Sequence, residues 1–193
     1  MRIVRQSQFK SSPWKNGGGI THEAMRSPAL GDAFRWRVSV AHIDSSGPFS
    51  DFAGYARTMV LLRGRGIALK LSDGTRRDLR AIGDLAQFDG ALGVDCELLS
   101  GPCVDLNLMT SNALEPVHAR VERLHRPLSY GARTDESMVV FPIDAAVEIQ
   151  ADDGRATLLE PWDLAVLGGA GASSGLIACC EEAGGAVFVA TWG

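Results

Sequence analysis

Met59-Val60-Leu61-Leu62 returns as Met138-Val139-Val140-Phe141, 79 positions on (59 to 138). Gly83-Asp84-Leu85-Ala86 returns as Trp162-Asp163-Leu164-Ala165, again 79 on (84 to 163). Asp73-Gly74 returns as Asp153-Gly154, 80 on (74 to 154). Val104-Asp105-Leu106-Asn107 corresponds loosely to Val187-Phe188-Val189-Ala190. A one-residue shift inside a hairpin accounts for the drift between offsets. A unit of roughly 80 residues is too long for a solenoid repeat and suits a small barrel or sandwich. The chain therefore reads as two copies of one β unit, 1–112 and 113–193. They meet in the segment 112–133, which carries Pro116 and Pro127.

Within each copy the local pattern is that of strands. Phe34-Arg35-Trp36-Arg37-Val38-Ser39-Val40-Ala41-His42-Ile43 alternates, so its side chains divide between two faces. Trp36, Val38, Val40 and His42 share one face; Arg35, Arg37, Ser39, Ala41 and Ile43 share the other. Ser46-Gly47-Pro48 breaks the run. Thr58 to Leu62 and Gly66 to Leu71 are rich in β formers, and Ser72-Asp73-Gly74-Thr75 reads as a hairpin turn. No long segment has helical periodicity; short helical turns are expected near Ala53-Gly54-Tyr55 and from Asn112 to Pro116.

Composition narrows the function. The 193 residues are 46% hydrophobic and 22% charged, ordinary for a globular protein able to bury a core. A net charge of -4 offers no footprint for nucleic acid. No run of roughly 18 apolar residues is present to span a membrane, and the N-terminus lacks a signal-peptide apolar stretch, so a cytoplasmic location is expected. Cys96, Cys103, Cys179 and Cys180 match no zinc spacing and read as small apolar side chains.

The run Trp14-Lys15-Asn16-Gly17-Gly18-Gly19-Ile20-Thr21-His22-Glu23 sets an aromatic, a cation, an amide, a hydroxyl and a carboxylate around three glycines. That set suits a small polar molecule, although a Gly-rich polar run is as often a plain loop. It is not a phosphate loop, because the Lys precedes the glycines. Ile20, Thr21 and Arg26 read as a strand. The two copies also differ in polarity. The first carries Arg37, Ser39, Ser50, Arg57, Gln87, Asp105 and Asn107 on or beside its strands. The second has Val139, Ala145, Ala146, Val189 and Ala190 at comparable places. Inward polar groups mark a barrel with a pocket. The first copy is thus expected to hold the site and the second to be mainly structural.

A duplicated β unit with the hairpin Arg63-Gly64-Arg65-Gly66 and the turn Gly83-Asp84 resembles a cupin. Within that superfamily the chain is similar to the HutD/Ves family. The segments that carry the likeness are Trp14 to Gly19 with Thr21 and Glu23, Phe34 to Ala41, Gly47 to Arg57, Leu61 to Gly66 and Gly101 to Met109. The resemblance implies an all-β bicupin: two double-stranded β-helix barrels with few short helices, often dimeric. It also implies a link to histidine utilisation. Metal-holding cupins use His-x-His, a nearby Glu and a later His. No His-x-His occurs here, and the place of the Glu, seven residues before Gly64, is held by Arg57. A guanidinium repels a divalent cation and suits a carboxylate. No metal or cofactor is therefore expected.

Lys15, Asn16, Arg37, Ser39, Ser50, Phe52, Arg57, Asp105 and Asn107 are the candidate ligand-binding residues. Arg37 and Arg57 would clamp an anion, and Ser39 and Ser50 would add neutral donors. Asp105 and Asn107, two apart on a strand, share a face, and Asp105 would accept from an N–H. Phe52, Trp36 or Trp14 would give an apolar wall. For a lone Arg the plainer reading is a solvated face, and for Asp105 a structural hydrogen bond. Two functions stand side by side. One is a binding protein for a small carboxylate such as urocanate or a formylated glutamate, with a sensing role. The other is a metal-free hydrolase or isomerase with Glu23 or Asp105 as base and Arg57 as anion stabiliser.

Overall fold

The computed structural model describes residues 1–29, 33–114, 116–151, 154–168, 173–181 and 183–193. Strands follow in this order: β1 (Arg2–Val4), β2 (Lys10–Pro13), β3 (Gly19–Ser27), β4 (Trp36–Ile43), β5 (Gly47–Pro48), β6 (Tyr55–Arg63), β7 (Ile67–Leu71), β8 (Arg76–Leu79), β9 (Leu85–Asp89) and β10 (Val94–Leu98). There follow β11 (Cys103–Ser111), β12 (His118–Leu124), β13 (Leu128–Ala132), β14 (Ser137–Pro142), β15 (Val147–Ala151), β16 (Ala156–Leu159), β17 (Leu164–Gly168), β18 (Ser173–Cys179) and β19 (Gly185–Trp192). Among the described residues the only helical piece is a 3-10 turn at Gln6–Gln8. The two helical turns expected elsewhere are tight backbone turns instead, closed by Tyr55 N donating to Phe52 O at 3.1 Å and Leu114 N to Ser111 O at 2.9 Å. Gly47-Pro48, expected only as a break, forms the short strand β5 opposite Asp95 and Cys96.

The chain divides into two compact units, Phe9–Leu114 and Met1–Gln8 with Glu115–Gly193. The first has a six-stranded sheet, β2-β3-β4-β11-β6-β9, and a four-stranded one, β5-β10-β7-β8. The second has a five-stranded sheet, β1-β17-β14-β19-β12, and a four-stranded one, β13-β18-β15-β16. Strand for strand, β4 to β11 and β12 to β19 run the same course, which is the duplicated frame of a bicupin. The additions differ: β2 and β3 widen the first unit, and β1 closes the edge of β17 in the second, with Ile3 opposite Ala165. The first eight residues group with the second unit for that reason, and Asp163 fixes them. Its carboxylate accepts from Gln6 N at 2.9 Å and lies 2.7 Å from Arg5.

The turns carry the repeat in their geometry. Gly83 has φ +92°, and Trp162, at the matching place, has φ +70° although it is not glycine. Gly83 N donates to Leu61 O, and Trp162 N to Pro142 O, both at 2.8 Å. Gly74 and Gly154 likewise sit at φ +87° and +81°; Asp153, expected to match Asp73, lies outside the described residues. In the last strands the register corrects the alignment. Leu61 faces Asp105, and Val140 faces Val189. Asp105 thus matches Val189, not Phe188. A bulge between Val104 and Asp105 in the β6–β11 pairing adds the extra step, and a one-residue slip turns every side chain to the other face.

Each unit buries an apolar cluster drawn from both of its sheets. In the first it includes Ile43, Met59, Leu61, Ile67, Leu69, Leu79, Val94 and Cys96. In the second it includes Met138, Val140, Ile149, Leu159, Ile177, Val187 and Val189. Gly64, at φ +115°, is required where β6 turns towards β7, since a Cβ there would strike the Cys103 side chain. Among the described residues no helix is long and apolar enough to cross a membrane.

Candidate functional site

Three cross-strand rows on the inner face of the six-stranded sheet build the site. The antiparallel register places Ser12, Thr21, Ala41, Asp105 and Leu61 in one row. The next holds Lys10, Glu23, Ser39, Asn107 and Met59, and the third Arg37, Met109, Arg57 and Phe88. Side chains two apart on a strand share a face, so these rows stack into one surface. The apolar end of that surface joins the core. The polar end opens into a cavity of about 530 Å³, within the range of small-molecule sites.

All nine candidate residues line this cavity. Ser39, Arg57, Asp105 and Asn107 form its floor, with exposures of 2%, 5%, 1% and 6%. Arg37 is half-buried beside them, and Phe52 stands as a wall. Lys15, Asn16 and Ser50 are exposed at the rim. The glycine run is the β2–β3 hairpin loop. Asn16 Oδ1 accepts from Gly18 N at 3.0 Å, so part of this amide is spent in closing the loop. Gly19 has to be glycine, because a Cβ would collide with the His42 carbonyl. Trp14 lines the cavity, donates from Nε1 to Thr21 Oγ1 at 2.8 Å, and meets Phe49 edge-on at 5.9 Å. Trp36 does not line it, since it lies on the opposite face of β4 from Arg37. Gln87 also points away, donating to Thr58 at 3.1 Å.

The two arginines are the chief electrostatic feature. Arg57 lies in a collar of rings, its guanidinium carbon 5.4, 5.5 and 5.1 Å from the centroids of Phe49, Phe52 and Phe88. Its Nε is buried without a hydrogen-bond acceptor. Burial pulls its pKa down to about 10; Asp105 opposes that and Arg37 adds to it. Arg57 is therefore still a cation at neutral pH. Arg37 lies 5.0 and 5.1 Å from the centroids of Phe34 and Phe52. Its Nη2 reaches only the weak acceptor Met109 Sδ at 3.3 Å, and its Nε too has no acceptor. Burial, chiefly, lowers its pKa as well.

Asp105 is pushed up to about 7 by burial, against the pull of Arg57 and of the Asn107 hydrogen bond. Asn107 Nδ2 donates to Asp105 Oδ2 at 3.5 Å, leaving Asn107 Oδ1 buried and unused. The floor thus offers two guanidinium donors and, beside them, an amide acceptor and a carboxyl group. Glu23 lines the cavity from β3, directly across from Ser39 in the second row and 3.4 Å from Arg26.

This donor set does not suit a divalent cation, because two guanidinium groups face the one buried carboxyl. Among the described residues no three His, Cys, Asp or Glu side chains gather as metal ligands. The histidines are less scattered than their spacing suggests. His22 and His42 meet with ring centroids 5.0 Å apart, on strand positions that alternate with the cavity-lining ones.

The reading from sequence left out Lys10, Ser12, Phe34, Phe49, Phe88 and Met109. Phe88 faces Arg57 only through the β6–β9 register, which no local pattern encodes. Phe49, three residues before Phe52, was the more accessible signal.

The HutD family model matches residues 6–183. An uncharacterized 21.2 kDa protein in the hutC 3' region of Pseudomonas putida is 41% identical over 110 residues, 56% of this chain and 57% of that protein. The chain spans about half the length of the curated relatives it matches. A conserved protein of unknown function from Pseudomonas aeruginosa PAO1 superposes with a TM-score of 0.87 at 30% identity, covering 98% of this chain and 96% of that one. HutD from Pseudomonas fluorescens SBW25, in a formate condition, gives a TM-score of 0.80 at 29% identity, covering 98% and 97%. More distant solved structures, oxalate decarboxylases among them, are 9–10% identical with TM-scores of 0.65–0.72 and share the cupin fold alone.

Proposed function

The chain belongs to the HutD family, and from that premise we propose that it is a metal-independent cupin that captures a small carboxylate in its N-terminal cavity. The observation that carries the reading is Arg57: 5% exposed, ringed by three phenylalanines, with its Nε lacking any acceptor. A buried guanidinium is costly unless paired, and a carboxylate fits its planar fork. Asn107 Oδ1 and Asp105 would take an N–H from the same ligand. Urocanate and formylglutamate, intermediates of histidine breakdown, each combine a carboxylate with such a donor. The family resemblance points the role towards sensing or regulation in histidine utilisation, in the cytoplasm and as a homodimer. Light scattering at micromolar concentration checks the dimer; a monomer mass throughout removes it.

Calorimetry with urocanate, formylglutamate, glutamate and formate tests the ligand. Arg57→Ala is expected to weaken the acid that binds by at least tenfold. Losing one partner of a buried charged pair costs about 2–5 kcal/mol, and about 1.4 kcal/mol is one decade. Arg57→Lys restores only part, and Arg65→Ala, on an exposed hairpin, changes little. If no acid binds more tightly than millimolar, or Arg57→Ala binds like the parent, the reading is wrong.

A metal-free hydrolase or isomerase is the second reading, favoured by Asp105. A pKa near 7 suits a general base at neutral pH. Conversion of a bound acid, followed by NMR and abolished in Asp105→Asn, would establish it.

A further inference from the structure

We infer that the cavity takes a short dicarboxylate, with one carboxylate on Arg57 and the other on Arg37. This rests on the carboxylate reading above and narrows it. Three observations point to two anionic groups. First, both guanidinium groups have an Nε that is buried and has no acceptor, and neither side chain lies within ion-pair distance of Asp105 or Glu23. One carboxylate gripped through the fork of Arg57 leaves Arg37 with only the thioether of Met109.

Second, the two groups are held by different strands and, apart from one shared ring, by different aromatic partners. Arg37 and Arg57 flank Met109 from β4 and β6, two strand spacings apart, or about 10 Å at the backbone. Each has its own ring partners, Phe34 for Arg37 and Phe49 with Phe88 for Arg57, and they share only Phe52. Rings on the flanks of a guanidinium leave its edge as the face for hydrogen bonds. Third, the charges balance. The lining carries the cations Lys10, Lys15, Arg37 and Arg57 against the carboxyl groups of Glu23 and Asp105. Glu23 is also paired with Arg26, so the excess is at least two, and a dianion offsets more of it than a monoanion does.

The test is calorimetry on the full chain with matched pairs of probes: glutarate against its monoamide, and succinate against its monoamide. Each pair has the same length and shape and differs by one charge. At least one diacid is expected to bind tenfold or more tightly than its own monoamide. Arg37→Gln should then cost that diacid at least fivefold more affinity than it costs the monoamide. Equal binding of diacid and monoamide by the parent overturns the inference and leaves the single-carboxylate reading standing. So does an equal loss of both in Arg37→Gln. Failure of every acid to bind below millimolar overturns both readings together. The parent-protein comparison decides the matter even if the variant does not fold.

Discussion

The strand positions that carry Asp105 and Asn107 in one unit carry Val189 and Thr191 in the other. Around them the frames are the same: Met59 and Met138 both turn inward on matching strands, and the turns at Gly83 and Trp162 share a left-handed backbone. Val189 belongs to a buried apolar cluster, whereas Asp105 faces a cavity with two arginines. In a duplicated barrel, then, chemistry is decided by a few inward positions on β4, β6 and β11, while the turns and the apolar ends keep the fold. Polar groups on the floor of the first unit are left short of partners, and the proposed binding role rests on that shortage.

The sharpest way to break this comparison is to move the charge. Val189→Asp puts a carboxylate into an apolar cluster with Val140, Ile149 and Val187, and the guanidinium directly across the strand pair, Arg120, is exposed and already paired with Glu122 at 2.8 Å. An unpaired buried charge is among the severe substitutions, so a loss of roughly 4 kcal/mol or more is expected in urea unfolding. A mild effect would show that the second unit has polar space of its own.

The reverse exchange should help. Asp105 has a folded pKa of about 7 against an ordinary value of 3.8. The folded state therefore holds the proton longer than the unfolded one, so this residue makes stability fall as pH rises from about 4 to about 7. Asp105→Asn should remove that decline. At pH 8 the variant should be more stable than the parent by roughly 2–4 kcal/mol, since each unit is worth about 1.4, and near parity is expected at pH 4. An unchanged slope would mean that Asp105 is ionised in the folded protein well below neutral pH.

The smallest effect concerns the matched turns. Gly83→Ala should cost about 1 kcal/mol, the usual penalty for a side chain at positive φ, read as a lowered melting temperature. If it costs nothing, the turn tolerates side chains in both units, as Trp162 already does in one.

The strands, the duplication and the floor of the cavity were legible because they rest on short-range signals. Alternation put Arg37 and Ser39 on one face, the interval to Gly64 placed Arg57, and the two-residue spacing joined Asp105 to Asn107. Features set by pairing were not legible. The bulge beside Asp105 shifted the alignment of the last strands by one. Phe88 reached Arg57 only across a sheet. Lys10 and Ser12, in the polar run Lys10-Ser11-Ser12-Pro13, look like loop and turn out to form a strand only because β3 is there to pair with it. The ring of Trp36 suggests a wall, but its strand parity, opposite to that of Arg37, points it away from the cavity.

The closing of β17 by β1 has a consequence for how the protein is made. β1 is synthesised more than 150 residues before the strand that needs it, since Arg2, Ile3 and Val4 pair with Val166, Ala165 and Leu164. Until that strand emerges, the leading segment has no partner, and once it emerges an open edge waits for it. Open edges invite pairing with other chains. β1 thus serves as a late-acting seal on β17, and bulk placed directly beside Arg2 would delay the sealing step.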